Sequence, residues 1–567
     1  MSINGLSIVL CGEAGQGIQT VEHILTRGLK LSGFNVFSTT EFMSRVRGGC
    51  NSTEIRISSK RVNAFVDRID ILVSFSKCAI PHLRKRISPK TMIVGEKENI
   101  EREDYEKYRI WEAPFSKIAA EIGSKIYTNT IAVGVIAGLL RIESEIIEDF
   151  LKERFSRKGE EVIQKNIEAI RKGYEIGNGF IKAGGFNIEI EKDLELKNEM
   201  LLSGTEAVAL GAIAGDCRFL SFYPMSPSTG VAVFLAQRGQ DFDLIVEQAE
   251  DEIAAMNMVL GAWYAGARAM VTTSGGGFAL MVEGLSLAGI MENPVVIHLG
   301  QRPGGATGLA TRTEQADLNL ALYAGHGEFP RIMFAPGKIE DAFHLTQMAF
   351  NLADKYQVPV FILTDQYFVD SYYNFPSIDS SRIEVERHIV KTEKDYQRYR
   401  FTPSGVSSRG VPGFGEGLVV CAGNEHDETG HITEDPALRT KMVDKRLKKL
   451  ELIKKEAIPP ELVGNKDYKA LIIGWGSTYH VIKEALEGLE KEDISFLHFK
   501  QVYPLASDTV AYLKKAQKRI VVENNATVQF GNLLKLYTGV EMDTKILKYS
   551  GRPFSVEEIQ AKLKDII

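Results

Sequence analysis

Leu6-Ser7-Ile8-Val9-Leu10-Cys11-Gly12-Glu13-Ala14-Gly15-Gln16-Gly17 is the stretch that sets the fold class of this chain. Its apolar first half has the composition of a buried strand, and its glycines form a turn. A helical pattern follows, with apolar residues at 21, 24, 25 and 29, and strand-like runs return at 35–38 and 70–74. Strands that alternate with helices predict an α/β fold with a mostly parallel sheet.

The same alternation returns later in the chain. Apolar runs of a second unit lie at 219–223, 269–273, 294–298 and 359–363, and those of a third lie at 468–476, 494–499 and 520–523. Between them, residues 386–417 are polar without a sustained period, and 435–457 is a charged helical stretch with Leu447, Leu450 and Ile453 as its apolar stripe. We therefore expect three parallel-sheet α/β domains, at 1–185, 200–385 and 460–567, with an extended arm and charged helix at 386–457.

The composition argues against several functional classes. Lys+Arg 68 against Asp+Glu 74 gives a net charge of −6, so no basic excess indicates nucleic acid or an anionic membrane surface. The start of the chain lacks the basic region of a signal peptide, and the uncharged stretches 219–237 and 269–282 are interrupted by prolines or glycines. We expect a cytoplasmic protein without a membrane span.

The cysteines stand alone in the sequence, with no Cys-x-x-Cys pair. We expect unpaired thiols in a reducing compartment, and neither a structural zinc nor an iron–sulfur cluster held by this chain alone. The five are Cys11, Cys50, Cys78, Cys217 and Cys421.

Loops of the second unit follow predicted strands, where ligands bind in open α/β sheets. Tyr223-Pro224-Met225-Ser226-Pro227-Ser228-Thr229 presents hydroxyls on a backbone stiffened by prolines, and Thr272-Thr273-Ser274-Gly275-Gly276-Gly277-Phe278 allows close approach of the backbone to a ligand. The loop at 300–313 contains Arg302, whose guanidinium could hold a carboxylate. Each has an ordinary alternative: a capped proline turn, a flexible turn and a surface ion pair.

The segment Glu247-Gln248-Ala249-Glu250-Asp251-Glu252-Ile253-Ala254-Ala255-Met256 is acidic and then apolar at helical spacing. Acids at a helix start usually complement the helix dipole. One carboxylate on the inward face, next to Ile253 and Met256, could instead be buried and hold a ring nitrogen.

The first glycine loop, Gly12-x-x-Gly15-x-Gly17, could receive an anion at a helix N-terminus. Arg45 and Arg47 flank a further turn and could touch a phosphate or a partner's carboxylate, although ligand-free turns remain equally open for both segments. The spacing differs from the dinucleotide fingerprint Gly-x-Gly-x-x-Gly, which disfavours a nucleotide-linked dehydrogenase.

In combination these motifs resemble the 2-oxoacid:ferredoxin oxidoreductases. Tyr-Pro-x-Ser-Pro-Ser-Thr, Gln-Ala-Glu-Asp-Glu, Thr-Ser-Gly-x-Gly-Phe and Gln-Arg-x-Gly-x-x-Thr-Gly occur in the family's order, and the chain looks like an α subunit with a γ domain fused at its N-terminus, as in the 2-oxoglutarate type. Matching segments extend over nearly the whole chain. The resemblance implies a γ-type domain, a pyrimidine-binding domain and a transketolase C-terminal-like domain.

The resemblance also implies roles for single residues. Glu252 would hydrogen-bond the aminopyrimidine of thiamine diphosphate and act as the catalytic group, because a carboxylate there favours the imino tautomer. Ser226, where the family usually has threonine, and Arg302 would bind the 2-oxoacid, together with Thr229. Further cofactor contacts are expected from Tyr223, Pro224, Gly275 and Gly277, and coenzyme A contacts from Gly15, Gly17, Arg45 and Arg47.

Half of the expected active site is missing from the chain. Thiamine enzymes hold magnesium and diphosphate with a Gly-Asp-Gly signature, and the nearest match here, Gly215-Asp216-Cys217, fails. Mg²⁺, the diphosphate and a [4Fe-4S] cluster are therefore expected in a β subunit, with ferredoxin as electron acceptor and an (αβ)₂ assembly. No metal site is expected in this chain, and the segment Asn424–Glu428 with His431 is interpreted as a subunit-packing arm in preference to a metal site.

The function expected from this resemblance is oxidative decarboxylation of a 2-oxoacid, best 2-oxoglutarate, to acyl-coenzyme A and carbon dioxide. Specificity for pyruvate or another 2-oxoacid remains open. A rival from another class is a non-catalytic assembly subunit that keeps the fold. A transketolase-like enzyme acting alone is disfavoured by the missing diphosphate signature.

Overall fold

The structure is a computed structural model, and it describes residues 5–13, 18–43, 49–184, 189–489 and 491–567, with the backbone alone at 18–20, 157 and 382. By its internal contacts the chain divides into two compact units. Unit 1 comprises residues 1–202, 371–377 and 555–557, and unit 2 comprises residues 203–370, 378–554 and 558–567. The finer domain bounds given by the sequence stay a prediction.

The strands are β1 Gly5–Glu13, β2 Asn35–Glu41, β3 Cys50–Ser58, β4 Ile71–Ser74, β5 Met92–Gly95, β6 Arg109–Glu112, β7 Met200–Ser203, β8 Phe219–Phe222, β9 Ile245–Gln248, β10 Ala269–Ser274, β11 Val295–Gln301, β12 Ile332–Phe334, β13 Pro359–Asp365, β14 Tyr372–Phe375, β15 Glu461–Val463, β16 Ala470–Trp475, β17 Ile494–Phe499, β18 Gln501–Tyr503, β19 Lys518–Glu523 and β20 Thr544–Leu547.

The helices are α1 Ile18–Leu31, α2 Ala79–Leu83, α3 Asp104–Lys107, α4 Phe115–Ile122, α5 Thr128–Leu139, α6 Ser144–Phe155, α7 Glu160–Lys182, α8 Gly204–Ala214, α9 Thr229–Ala236, α10 Glu252–Tyr264, α11 Gly275–Phe278, α12 Val282–Ile290, α13 Leu318–Tyr323, α14 Ile339–Tyr356, α15 Gln366–Asp370, α16 Pro436–Lys455, α17 Thr478–Glu487, α18 Thr509–Lys515, α19 Gln529–Thr538 and α20 Val556–Ile566.

Unit 1 is built on a mixed sheet with the strand order β6-β5-β4-β1-β3-β2-β14-β7. The neighbouring pairs β1–β4, β4–β5 and β5–β6 are parallel, as the alternating pattern predicts. In contrast, β3 runs antiparallel to both β1 and β2. The α/β class is confirmed. The antiparallel half is an addition, because β3 carries polar residues on a buried strand and gives no apolar run.

Unit 2 contains two further sheets. One has the order β18-β12-β13-β11-β10-β8-β9 and is parallel except at the β12–β18 pair, and the other has the order β15-β17-β16-β19-β20. The apolar runs predicted as strands in this region are confirmed as β8, β10, β11, β13, β16, β17 and β19. β8, β10, β11 and β13 therefore end at one edge of their sheet.

The charged helix α16 packs through charged side chains. Lys445 and Lys449 are buried and pair with the buried Glu292, at 2.6 and 2.5 Å. The predicted stripe of Leu447, Leu450 and Ile453 is only partly right, because the two leucines are half-buried. The two lysines can occupy inward positions because the buried Glu292 pairs with both of them.

The expectation that all five cysteines are unpaired is wrong. Cys50 and Cys78 form a disulfide across a sequence separation of 28 residues, whereas Cys11, Cys217 and Cys421 are free. The pairing follows from tertiary proximity, which no local Cys-x-x-Cys spacing announces. In the part of the chain that the structure describes, no helix is both long and apolar enough to cross a membrane.

Candidate active site

The ends of β8, β10 and β11 bring the predicted site loops together. These strands are parallel neighbours in the order β11-β10-β8, so the residues that follow them leave the sheet side by side. A Cβ atom on Gly300 would lie 3.1 Å from Cγ of Pro227, and one on Gly276 would lie 3.6 Å from the carbonyl oxygen of Ala306. The loops after all three strands are therefore in contact.

Glu252 is the first residue of α10 and points into the protein. Asp251 caps this helix by accepting a hydrogen bond from the backbone N–H of Ala254 at 2.7 Å. The Glu252 side chain is 3% exposed, and among the described residues its buried Oε1 atom has no hydrogen-bond partner. A buried acceptor left without a donor costs roughly 1–3 kcal/mol, and this oxygen can accept a hydrogen bond from a donor outside the chain.

The helix start differs from the sequence prediction. Glu247 and Gln248 belong to β9, and the helix begins only at Glu252. Met256 is buried as expected, but Ile253 is 50% exposed. The first turn therefore has a narrower buried face, which Glu252 shares with Ala255 and Met256.

Gly277 makes room for the Glu252 carboxylate. A Cβ atom at this position would lie 2.5 Å from Oε1 of Glu252 and 2.3 Å from Oγ1 of Thr273. Both are distances that real side chains do not reach. The absence of a side chain at Gly277 is therefore a condition for the observed position of the carboxylate.

Arg302 connects the loop after β11 to the loop after β8. Its Nη1 atom donates to the backbone carbonyl of Ser226 at 2.7 Å, next to the cis Ser226–Pro227 peptide bond. The side chain is 7% exposed, and burial lowers the pKa of Arg302 while Asp317 opposes that shift. A guanidinium in this setting is partly desolvated, which strengthens its attraction for an anion.

Asp317 is a neighbour of Arg302 that the sequence analysis missed. Its carboxylate accepts a hydrogen bond from the backbone N–H of Arg302, and a Cβ atom on Gly275 would lie 2.4 Å from its oxygens. Burial raises the pKa of Asp317 to about 6, against the attraction of Arg302. The half-buried Glu314 has a pKa raised to about 7, by burial and by Asp317. The proximity of Asp317 to Arg302 is visible only in the folded loop 302–317.

Three buried polar atoms without a hydrogen-bond partner surround the short helix α11. They are Oε1 of Glu252, Oγ of Ser274 and Oδ2 of Asp317. Ser274 precedes α11, Gly275 abuts Asp317, and Gly277 abuts Glu252. Acceptors and a hydroxyl gathered at a glycine turn fit a polar, nitrogen-bearing ring such as an aminopyrimidine.

The other predicted site residues lie at the rim or outside the described part. Tyr223 is 40% exposed, Pro224 and Ser226 are exposed, and Thr229 begins α9. The proposed coenzyme A residues Gly15, Gly17, Arg45 and Arg47 lie outside the described residues. Within the described ranges, the structure contains no group of three or more His, Cys, Asp or Glu side chains placed to hold a metal ion.

Comparisons with known proteins identify the family of the chain. The family model described as pyruvate flavodoxin/ferredoxin oxidoreductase, thiamine diphosphate-binding, matches residues 210–445, and the pyruvate ferredoxin/flavodoxin oxidoreductase model matches residues 7–176. A 2-oxoacid:ferredoxin oxidoreductase subunit alpha from Sulfolobus sp is 32% identical over 99% of this chain and 97% of its own length. The 2-oxoglutarate synthase subunit KorA of Methanocaldococcus jannaschii is 31% identical over 63% of this chain and 97% of its own length.

A solved structure matches the entire chain. The 2-oxoglutarate:ferredoxin oxidoreductase from Magnetococcus marinus, with 2-oxoglutarate, coenzyme A and succinyl-CoA bound, has a TM-score of 0.92 at 31% identity and covers 100% of both chains. Its fold and the full-length identity to the Sulfolobus subunit lead to the same assignment. The chain belongs to the 2-oxoacid:ferredoxin oxidoreductases, a thiamine-diphosphate-dependent family of enzymes, and is similar over its full length to their α subunits.

Proposed function

We propose that this chain supplies the pyrimidine-binding and substrate-carboxylate half of a 2-oxoacid:ferredoxin oxidoreductase active site, with 2-oxoglutarate as the substrate. The observation that carries the proposal is the buried Oε1 atom of Glu252, which has no hydrogen-bond partner among the described residues and lies against Gly277. The substrate rests on the relatives, since the Magnetococcus structure holds 2-oxoglutarate and the Methanocaldococcus relative is a 2-oxoglutarate synthase subunit.

Glu252 would accept a hydrogen bond from the aminopyrimidine ring, with Gly275 and Gly277 giving the ring access to the carboxylate. A buried carboxylate oxygen can hold a ring proton at one nitrogen, because no donor among the described residues competes for the Oε1 atom of Glu252. When bound, thiamine diphosphate supplies the carbon nucleophile that reacts with 2-oxo groups. Tyr223 and Pro224, exposed at the same sheet edge, would contact the ring from the solvent side.

Arg302 would hold the carboxylate of the 2-oxoacid next to Ser226 and Thr229. The guanidinium is already fixed by the Ser226 carbonyl, so little side-chain entropy is lost when the substrate binds. Two parallel N–H donors match a carboxylate, which a lysine ammonium cannot do. The hydroxyl of Ser226 would orient the 2-oxo group.

A β subunit would complete the site. It would carry Mg²⁺, the diphosphate-binding residues and a [4Fe-4S] cluster that passes electrons to ferredoxin, within an (αβ)₂ assembly. Coenzyme A would take the acyl group, and its proposed contacts remain Gly15, Gly17, Arg45 and Arg47.

The test is a reconstitution of this chain with its β subunit, assayed with a panel of 2-oxoacids, coenzyme A and a low-potential dye. Turnover with 2-oxoglutarate is expected, together with bound thiamine diphosphate. Arg302→Lys is expected to raise the KM for the 2-oxoacid at least about tenfold, because one bidentate contact is lost. Ser226→Thr, which restores the family's usual residue, is the matched control and is expected to retain activity, whereas Ser226→Ala is not.

The outcomes separate the alternatives. A preference for pyruvate would correct the substrate but keep the site. Full turnover in both Glu252→Ala and Arg302→Ala would show that the chain is an assembly subunit without chemistry of its own. A complex without thiamine diphosphate would refute the proposal.

A further inference from the structure

Three cysteine sulfurs of unit 1 meet at one place on its sheet. Cys11 lies on β1, and Cys50 is the first residue of the antiparallel neighbour β3. The Sγ atoms of Cys11 and Cys50 are 3.4 Å apart. Cys50 is bonded to Cys78, which directly precedes α2. A free sulfur therefore contacts one end of a disulfide.

The two ends of this disulfide differ in accessibility. Cys50 is 4% exposed and Cys11 is fully buried, whereas Cys78 is half-buried, with the hydroxyl of Ser76 at 3.1 Å from its sulfur. A thiol reagent from solvent therefore meets the bond at Cys78. Cys11 meets the same bond from inside, at Cys50.

The surroundings of Cys11 disfavour its thiolate. Burial raises the pKa of the Cys11 thiol, and the carboxylates of Glu54 and Glu41 raise it further, against the opposing charge of Arg86. Arg86 is itself held by Glu54 in a bidentate pair, with both N–O distances at 2.7 Å. Because the thiolate is the attacking species, a reaction of Cys11 is slow at neutral pH and faster in alkali.

We propose that Cys11, Cys50 and Cys78 form a thiol–disulfide exchange site. Its substrate is an external dithiol, and Cys11 is the internal thiol that can replace Cys78 as the partner of Cys50. The exchange does not depend on the proposed oxidoreductase chemistry. Unit 1 then has three covalent forms. Cys50 is bonded to Cys78 in the first and to Cys11 in the second, and all three cysteines are thiols in the third.

The reduction step is balanced by the dithiol. One thiolate of the dithiol attacks Sγ of Cys78, the Cys50–Cys78 bond breaks, and Cys50 leaves as a thiolate that takes a proton. The second thiol of the reagent then attacks the mixed disulfide, releasing Cys78 as a thiol. The protein disulfide gains two electrons and two protons, and the dithiol becomes a disulfide.

The internal step needs no outside reagent. The Cys11 thiolate attacks Sγ of Cys50, a Cys11–Cys50 bond forms, the Cys50–Cys78 bond breaks, and the proton lost from Cys11 ends on Cys78. The number of disulfides is unchanged.

Peptide mapping of the full chain tests both steps, because trypsin places the three cysteines in separate peptides, at 1–27, 48–56 and 78–84. In chain purified without reductant and alkylated while folded, peptides 48–56 and 78–84 are expected to be cross-linked. Dithiothreitol should remove the link, and Cys78 should then alkylate at least about tenfold faster than the buried Cys217. Separate, alkylated Cys50 and Cys78 peptides before reduction would overturn the proposal.

The role of Cys11 is tested by two variants and by the unmodified chain. Cys78→Ser is expected to yield a 1–27 to 48–56 link under air, and Cys11→Ser to retain the 48–56 to 78–84 link. In the unmodified chain held at pH 9 and quenched in acid, the 1–27 to 48–56 link should appear with time. Its absence from both the Cys78→Ser chain and the unmodified chain would exclude the exchange, even if a variant fails to fold.

Discussion

Replacement of Glu252 by glutamine separates a binding carboxylate from a structural one. The change keeps the shape of the side chain and removes the charge from an oxygen that is buried without a donor. A residue that supports the fold loses stability when it is altered. Alteration of a residue that binds a ligand from outside the chain should instead keep or raise the stability of the free protein, because its unpartnered polar group destabilises that state.

The expected size follows from two opposing effects. An unpartnered neutral amide costs less to bury than an unpartnered carboxylate, and the difference returns roughly 1–3 kcal/mol. Loss of a negative charge from the first turn of α10 costs about 0.3–1 kcal/mol, because the helix dipole favours an anion there. The net change in the free energy of unfolding is therefore about 0–2.7 kcal/mol in favour of Glu252→Gln. Since unit 2 has about 350 residues, 1 kcal/mol corresponds to roughly 1.4 °C, and the Tm should rise by about 0–4 °C.

Glu523 offers the matched control in the same unit. It is fully buried, but its carboxyl accepts from the backbone N–H groups of Phe530 and Gly531 at 3.0 and 2.8 Å and from Nδ2 of Asn525 at 2.6 Å. Glutamine there would turn an amide N–H₂ toward donors. We expect a loss of about 2–4 kcal/mol, or roughly 3–6 °C in Tm.

The assay is thermal unfolding of the two variant chains beside the unmodified one, followed by turnover of each in the reconstituted complex. Glu252→Gln should keep or gain stability while turnover falls about 10²–10⁴-fold, the usual contribution of a positioned acid–base group. A Tm that falls as far as that of Glu523→Gln would show that Glu252 is part of the fold. Unchanged turnover would equally refute the reasoning.

Three further outcomes are expected. Burial raises the pKa of Asp317 from an unfolded value near 3.8 to about 6, so the folded state holds the proton longer and stability should fall by up to roughly 3 kcal/mol as pH rises from about 4 to 6. In denaturant unfolding Asp317→Asn should lose this contribution and keep only the fall that burial of Glu314 causes. Glu292→Gln leaves two buried lysines without their anion and should cost about 3–5 kcal/mol in denaturant unfolding, whereas Glu451→Gln, in an exposed pair, should change little. Gly277→Ala should displace the Glu252 carboxylate, which we propose to be catalytic, and lower turnover at least about tenfold. Gly305→Ala, whose added methyl group meets open space, should not; equal activities would contradict the role of this turn.

The fold was readable from the sequence where strands are apolar and was hidden where they are polar. β10, β11 and β13 are buried runs between turn residues, and the pattern predicts them directly. β3 contains Glu54, Arg56 and several hydroxyls, yet most of it is buried. It is stable there because Glu54 pairs with Arg86, 32 residues away, and a partner at that distance leaves no mark on local periodicity.

The candidate site could be predicted from the sequence only where its loops follow apolar strands. The carboxyl ends of parallel strands lie at one edge of the sheet, so the loops that contain Ser226, Gly277 and Arg302 could be expected together from the sequence alone. Asp317 could not, because it reaches Arg302 only after the intervening loop folds back through Gly308. This residue has a φ of +53°, and a Cβ atom on it would lie 1.9 Å from the carbonyl oxygen of Pro303, so only glycine fits. The Cys50–Cys78 pair is hidden for a similar reason.

Three buried glutamates of unit 2 show how context decides what a carboxylate does. Glu523 is satisfied by hydrogen-bond donors of its own neighbourhood, and Glu292 by two lysines of α16. Burial is nearly the same for all three, at 0%, 1% and 3% exposed, so burial alone cannot distinguish them. Glu252 differs because, among the residues that the structure describes, its Oε1 atom has neither a hydrogen-bond nor an ion-pair partner, and a glycine stands where a side chain would collide with it. An arrangement that destabilises the free chain is the one we expect if the missing donor arrives with a ligand.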